Sequence, residues 1–166
     1  MFQHILVPVD GSSASGQAID RAIAIAGAFK STVTVIYVID PYAFTGVGTD
    51  FSYGQAEYLS AATEEGKQAI DAAKQAFAAH GINATGSVVE GHAIYRGILE
   101  TAESIDADLV VMGSHGRRGL EQLVLGSVTA QVLSHAPLPA LVVRDRRRFS
   151  ARRTGPFSGL AQPHID

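Results

Sequence analysis

The chain has 166 residues, of which 46% are hydrophobic and 17% charged, with no cysteine and a net charge of −3. That length predicts one domain with a real core. The composition excludes disulfides, Fe–S clusters and thiol chemistry, and no apolar run approaches the ~18 residues of a membrane span. The opening MFQHILVPVDGS lacks the charged and long apolar regions of a signal peptide, so a cytoplasmic location is expected. The charge is uneven. Residues 1–143 hold 7 Lys+Arg against 14 Asp+Glu, and residues 144–166 hold 6 Arg against 2 Asp. An acidic body with a basic tail results, and the body has no nucleic-acid footprint.

In chain order, residues 2–9 are apolar and β-rich. Residues 12–30 read as a helix with an apolar stripe of Ala18, Ile19, Ala22, Ile23, Ile25, Ala26 and Phe29. The β-branched run TVTVIYVI predicts a strand over 32–39. Residues 40–52 (DPYAFTGVGTDFS) mix Gly with Tyr42, Phe44 and Phe51, either as a flap over a ligand or as a cover for the core. A long helix follows over 53–80, stopped by Gly81. Then come a strand over 83–90, a helix over 93–105, a strand over 108–112, a helix over 127–136 and a last strand over 138–144. The tail carries Arg clusters, Gly, Pro and Ser without apolar periodicity and reads as mostly irregular. The domain therefore spans 1–144 and the basic tail 145–166.

This alternation of strands and helices predicts a doubly wound α/β fold, a five-stranded parallel sheet with helices on both faces. Right-handed crossovers favour the strand order 3-2-1-4-5. The chain direction then reverses between strands 1 and 4, and ligands bind outside the carboxyl ends of strands at such a switch point. Those ends are Val9-Asp10-Gly11 and Met112-Gly113. Pro8 is awkward in a central strand, but it sits near the strand end, where lost pairing costs least.

The most specific pattern lies at that switch point. The strand Leu109–Met112 stops at Gly113, Gly116 follows, and nine residues later Gly126-Ser127 opens a helix. Strand, glycine turn and helix start present backbone N–H groups and the positive end of a helix dipole, a site for an anion. It is neither a P-loop, since no Lys precedes Ser127, nor the dinucleotide fingerprint, since the first turn reads Asp10-Gly11-Ser12-Ser13. Gly113 and Gly116 either let backbone approach a ligand or make a tight turn. Gly126, Ser127, Val128 and Thr129 offer amides and hydroxyls to an anion, which are also the groups of an ordinary helix cap. Arg117 and Arg118 either pair with phosphate or face solvent. His115 either contacts the ligand or is a passive loop residue, and His92 reads as a turn residue. No histidine spacing indicates a protein-built metal site, and no catalytic constellation is visible.

The segments HILVPVDGS, VTVIYVID, VVEGHA, ADLVVMGSHGRRGLEQLVLGSV and HAPLPALVV, with the pattern Gly-x2-Gly-x9-Gly-Ser, resemble the universal stress protein family over residues 1–144. The resemblance implies a Rossmann-like, adenine nucleotide alpha hydrolase-like fold and the ATP-binding branch, because the glycine signature is intact. Carried over position by position, it implies an ATP site built from Pro8, Val9, Asp10, Val38, Met112, Gly113, Gly116, Arg117, Gly126, Ser127, Val128 and Thr129. In resembling proteins the Asp contacts adenosine; a helix cap is the alternative role for Asp10. The backbone at Val38 would read the adenine edge. Any Mg²⁺ would arrive on the phosphates rather than in a metal site of the protein.

The apolar last strand is an unprotected sheet edge, and pairing with its copy in a homodimer would cover it. The resemblance implies the same dimer; the alternative is that the tail covers the edge. The expected function is a nucleotide-dependent regulator or sensor in the stress response. The alternatives are a slow ATPase or phosphotransferase, or an adaptor whose arginine tail recruits an acidic partner.

Overall fold

A computed structural model describes residues 1–42, 51–116 and 125–145, with residues 51–53 as backbone. The elements, in chain order, are β1 (His4–Pro8), α1 (Ser13–Phe29), β2 (Thr32–Ile39), α2 (Phe51–Ala78), β3 (Ala84–Glu90), α3 (Ile94–Ser104), β4 (Leu109–Gly113), α4 (Ser127–His135) and β5 (Ala140–Val143). The five strands form one sheet in the order β3-β2-β1-β4-β5, parallel throughout. The expected topology is therefore present, and most element ends fall within two residues of the sequence-based bounds.

Period-2 alternation divides the core between the two faces of the sheet. Ile5, Val7, Val33, Val35, Leu109 and Val111 pack under α1 and α2, with Ala18, Ala22, Ala26, Ile70, Ala73 and Phe77. Leu6, Ile36, Val110 and Met112 pack under α3 and α4, with Ile98, Ala102 and Val132. The α1 stripe is narrower than the sequence implies. Its buried line is Ala14, Ala18, Ala22 and Ala26, four residues apart, and Ile19, Ile23 and Ile25 flank it partly buried. Phe29 is 48% exposed, its ring edge-on to Phe2 at 5.5 Å. Small residues let the helix lie close to the sheet, and the larger ones are pushed to its sides.

Helix ends follow local chemistry. Ser12 is the N-cap of α1, its side chain accepting the Ser15 N–H at 3.2 Å, and Lys30 ends the helix in the left-handed region at φ 56°. At the start of β1, Asp108 accepts the amides of Gln3 (2.7 Å) and His4 (3.0 Å), tying the N-terminus to the entrance of β4. Burial disfavours the charged form of Asp108, but these amides and its own outweigh that and hold the carboxyl below its ordinary value.

The first residue of the expected tail is bonded to the domain. Asp145 accepts Ser13 Oγ–H and Gln17 Nε2–H, each at 2.7 Å, fastening the chain after β5 to the first turn of α1. The tail residues 146–166 lie outside the described residues, as do 43–50 of the aromatic linker. Of that linker's aromatics, Tyr42 is described, and its ring stacks on His92 with centroids 4.9 Å apart. His92 is therefore more than a turn residue; it braces the chain leaving β2.

Candidate nucleotide site at the switch point

The site is built where β1 and β4 part. The β1–β4 pairing runs only through Ile5↔Leu109 and Leu6↔Val110. Pro8 comes two residues later in β1 and has no N–H to extend a ladder, so the proline marks where the strands separate. Val9 turns back to β2, its N–H donating to Ile36 O at 2.8 Å. The side chains of Val9 and Met112 are buried in opposite core clusters, so these two positions can offer only backbone to a ligand.

Asp10 leaves the end of β1. Its Oδ1 accepts the Ser12 N–H at 2.9 Å. This is a local turn bond and not the N-cap, a role that belongs to Ser12. The second carboxylate oxygen faces the glycine loop: a Cβ placed on Gly116 would lie 2.8 Å from Asp10 Oδ2. Asp10 and Gly116 thus face each other across the switch point, and a side chain at position 116 would enter the space between them.

Gly113 has a different task. A Cβ there would meet the Cβ and carbonyl carbon of Ala14 at 2.9 Å. The missing side chain lets α1 approach β4; the space is filled by protein, not kept for a ligand. Gly126 is also packed against protein, since a Cβ on it would stand 3.3 Å from His115 Cα and Ser114 O. Its N–H donates to Ser114 O at 2.7 Å, and Ser114 N–H donates to Val143 O at 2.8 Å. These two bonds close the base of the loop and anchor it to β5.

Gly126 is the N-cap of α4 and, being glycine, has no side chain to cap the helix. The first intrahelical bond reaches Ala130 N–H, from Gly126 O at 2.9 Å. The N–H groups of Ser127, Val128 and Thr129 belong to the first turn and have no partner within the helix. Ser127 is exposed and adds a hydroxyl at the same place. Thr129 departs from expectation: its side chain is 3% exposed and its hydroxyl donates to Gly113 O at 2.9 Å. It joins α4 to β4 and leaves only its amide for an anion. Arg117 and Arg118 lie outside the described residues.

Val38 is brought to the same crevice through its backbone. Ile36 O faces β1, accepting Val9 N–H, and Ile39 O faces β3, accepting Gly91 N–H at 3.0 Å. Alternation turns the N–H and C=O of Val38 toward the β1 side. There the pairing with β1 has already ended at Pro8↔Ile36. A donor and an acceptor, side by side, face the crevice at the edge of a strand. Sequence reasoning missed Ser114, which is 1% exposed and bonds through Oγ to His115 Nδ1 at 3.0 Å. A serine flanked by glycines reads as loop, and only the tertiary structure shows it buried.

Among the described residues no group of three or more His, Cys, Asp or Glu side chains is placed to hold a metal, and no helix is long and apolar enough to cross a membrane. Around the switch point the described residues thus offer the first-turn amides of α4, the Asp10 carboxylate at the end of β1 and the backbone of Val38 in β2.

Three kinds of comparison agree on the family and the fold. The model of the universal stress protein family matches residues 1–144. A universal stress protein of Methanocaldococcus jannaschii, MJ0531, is 36% identical over 148 residues, covering 89% of this chain and 85% of that protein. Among solved structures, the universal stress protein UspA of Lactobacillus plantarum superposes with a TM-score of 0.78 at 28% identity, covering 86% of this chain and 98% of that one. A universal stress protein solved in complex with cAMP superposes at 0.59, also 28% identical, over 86% of this chain and 97% of that one. On the extent of the family match and the identity to the archaeal protein, the chain belongs to the universal stress protein family.

Proposed function

We propose that this protein binds ATP at the switch point and acts as a nucleotide-dependent regulator or sensor in the stress response. The observation that carries the reading is the uncapped first turn of α4, closed against Ser114 and set across Gly116 from Asp10. Amides without partners at a helix N-terminus suit phosphate. A carboxylate suits ribose hydroxyls and repels bare phosphate. It thus sets the direction of the ligand: phosphates on α4, ribose near Asp10, base at the Val38 backbone. The cAMP complex of a related protein supports an adenine nucleotide as the ligand class. Arg117 would add charge on the phosphate side, and Mg²⁺ would be held by phosphate oxygens and water.

The residues present suit holding a nucleotide better than consuming it. Among the described residues the switch point has donors for the ground state and no pair of groups arranged to activate water, and binding a ground state tightly does not accelerate chemistry. Turnover is expected on the order of once per minute or slower, against ~10 s⁻¹ for a typical enzyme. The same reading includes a cytoplasmic homodimer through β5, whose Leu141 is 38% exposed.

Calorimetry with ATP on the purified protein, with mass spectrometry of any co-purifying ligand, tests the proposal. Saturable binding that weakens at least tenfold in a folded Gly126→Val variant supports it; this substitution spreads the loop base from His115 and shifts the first turn of α4. An affinity for ATP no better than millimolar in the parent protein would remove the nucleotide reading. Rapid, saturable phosphate release with Mg²⁺ would replace the sensor with an ATPase.

A further inference from the structure

Glycine is the poorest helix former after proline, yet α3 carries one at the end of its first turn, Gly97. Its N–H donates to Ala93 O at 3.1 Å, the first bond of the helix. The backbone there is regular, so the missing side chain has a packing cause. Gly97 is buried. A Cβ on it would stand 2.7 Å from Val38 Cγ1, with Val38 Cγ2 at 3.6 Å and Cβ at 3.7 Å. Carbon atoms pack no closer than about 3.5 Å without repulsion. The glycine therefore lets α3 rest directly on the side chain of Val38, which belongs to the α3 and α4 face of the sheet. The N–H and C=O of the same residue lie in the sheet plane, on the β1 side.

The helix side of this contact is firmly held. Ile98 is 1% exposed and Ala102 2%, both against the sheet. Gly91 closes in as well: a Cβ on it would stand 3.2 Å from Gly97 Cα, and its N–H donates to Ile39 O, beside Val38, at 3.0 Å. Val38 is held on one side only. It pairs with Val89 in β3, while the ladder to β1 ends at Pro8↔Ile36. A valine has little choice of rotamer, so a methyl group pressed on Cγ1 displaces the strand end along with the side chain. We propose that Gly97 is a positioning residue: it fixes where the Val38 backbone presents its donor and acceptor, and so sets the preference for adenine over guanine. The proposal rests on the ATP reading and deepens it by naming what enforces the choice of base. A neighbouring N–H and C=O match N1 and the amino group of adenine. Guanine carries N1–H and O6 at those places and would face donor with donor and acceptor with acceptor. A mismatch that leaves polar groups unpaired discriminates strongly, provided the groups are held in place.

Calorimetry with ATP, GTP and inorganic tripolyphosphate on the parent and on Gly97→Ala tests it, with urea unfolding as the check on the fold. Alanine is the better helix former, so the variant is expected to keep α3. ATP should weaken about tenfold, and GTP and tripolyphosphate by less than about twofold, so that the ratio of ATP to GTP affinity falls about tenfold. Gly91→Ala presses on the same turn of α3 by a few tenths of an ångström and should lower that ratio about twofold. It serves as the test if Gly97→Ala does not fold. An unchanged ratio in the folded variant overturns the proposal, as does a loss of affinity shared equally by tripolyphosphate. A parent that binds ATP without preferring it to GTP removes this proposal and leaves the ATP reading standing; a parent that binds no ATP removes both.

Discussion

Two residues, Asp10 and Gly116, define the width of the crevice. A side chain at position 116 would begin 2.8 Å from Asp10 Oδ2, at the mobile end of a carboxylate that can swing away. Gly116→Ala is therefore expected to leave stability close to the parent while displacing the carboxylate from its place. Asp10→Ala and Gly116→Ala should each weaken ATP about tenfold, a change of about 1.4 kcal/mol. The double variant should weaken it little further, because both act on one group. Calorimetric titration of the four proteins checks this, and additive losses would show that Gly116 acts on the ligand directly.

Asp108 offers a test at the opposite end of the sheet. Its carboxyl is held below the ordinary value by the amides of Gln3 and His4 despite the opposing effect of burial. A depressed carboxyl contributes stability above its unfolded value, about 3.9, and loses that contribution as pH falls through its folded value. Asp108→Asn should thus be less stable than the parent at neutral pH. The gap should close at the acid end of a series of denaturant unfolding curves.

At the scale of elements, the packing of α1 on β4 depends on Gly113. Its missing Cβ leaves room for the backbone and side chain of Ala14, both 2.9 Å from where it would be. Backbone does not yield as a side-chain tip does, so Gly113→Ala should destabilise the fold by about 1–3 kcal/mol, read as a lower midpoint in urea at unchanged m. The loss should appear in stability before it appears in ATP affinity. The short strand β5 pairs with β4 from Val110↔Ala140 to Gly113↔Val143 and has no strand on its other side among the described residues. If that edge forms the proposed dimer, Val142→Pro removes a backbone donor and should shift light-scattering mass toward the monomer.

For the whole molecule, the contrast is between an acidic body and a basic tail. Asp145 is fastened to α1 through Ser13 and Gln17, so a deletion that spares these two bonds begins at residue 146. Deleting 146–166 removes five arginines and should leave ATP affinity within about threefold while abolishing salt-sensitive binding to anionic partners. Deleting 145–166 removes two further bonds to α1 and should lower stability by about 1 kcal/mol relative to the shorter deletion. A large loss of ATP affinity in the first deletion, measured by calorimetry, would make the tail part of the site.

The strand and helix alternation, the strand order and with it the switch point were legible in the sequence, because each depends on local periodicity and on the handedness of crossovers. The glycine spacing and Asp10 were legible for the same reason: they mark the ends of strands 4 and 1. What each residue does there was decided by tertiary contacts. Two glycines of one motif serve different ends, Gly113 admitting a helix and Gly116 keeping a gap, and nothing in their spacing separates them. Thr129 donates its hydroxyl to Gly113 O, Ser12 and not Asp10 caps α1, and Ser114 is buried with a histidine as partner. A sequence pattern fixes which backbone is present and where it turns. Which atoms are left without a partner depends on what the rest of the chain brings within 3 Å, and that is decided only when the layers pack.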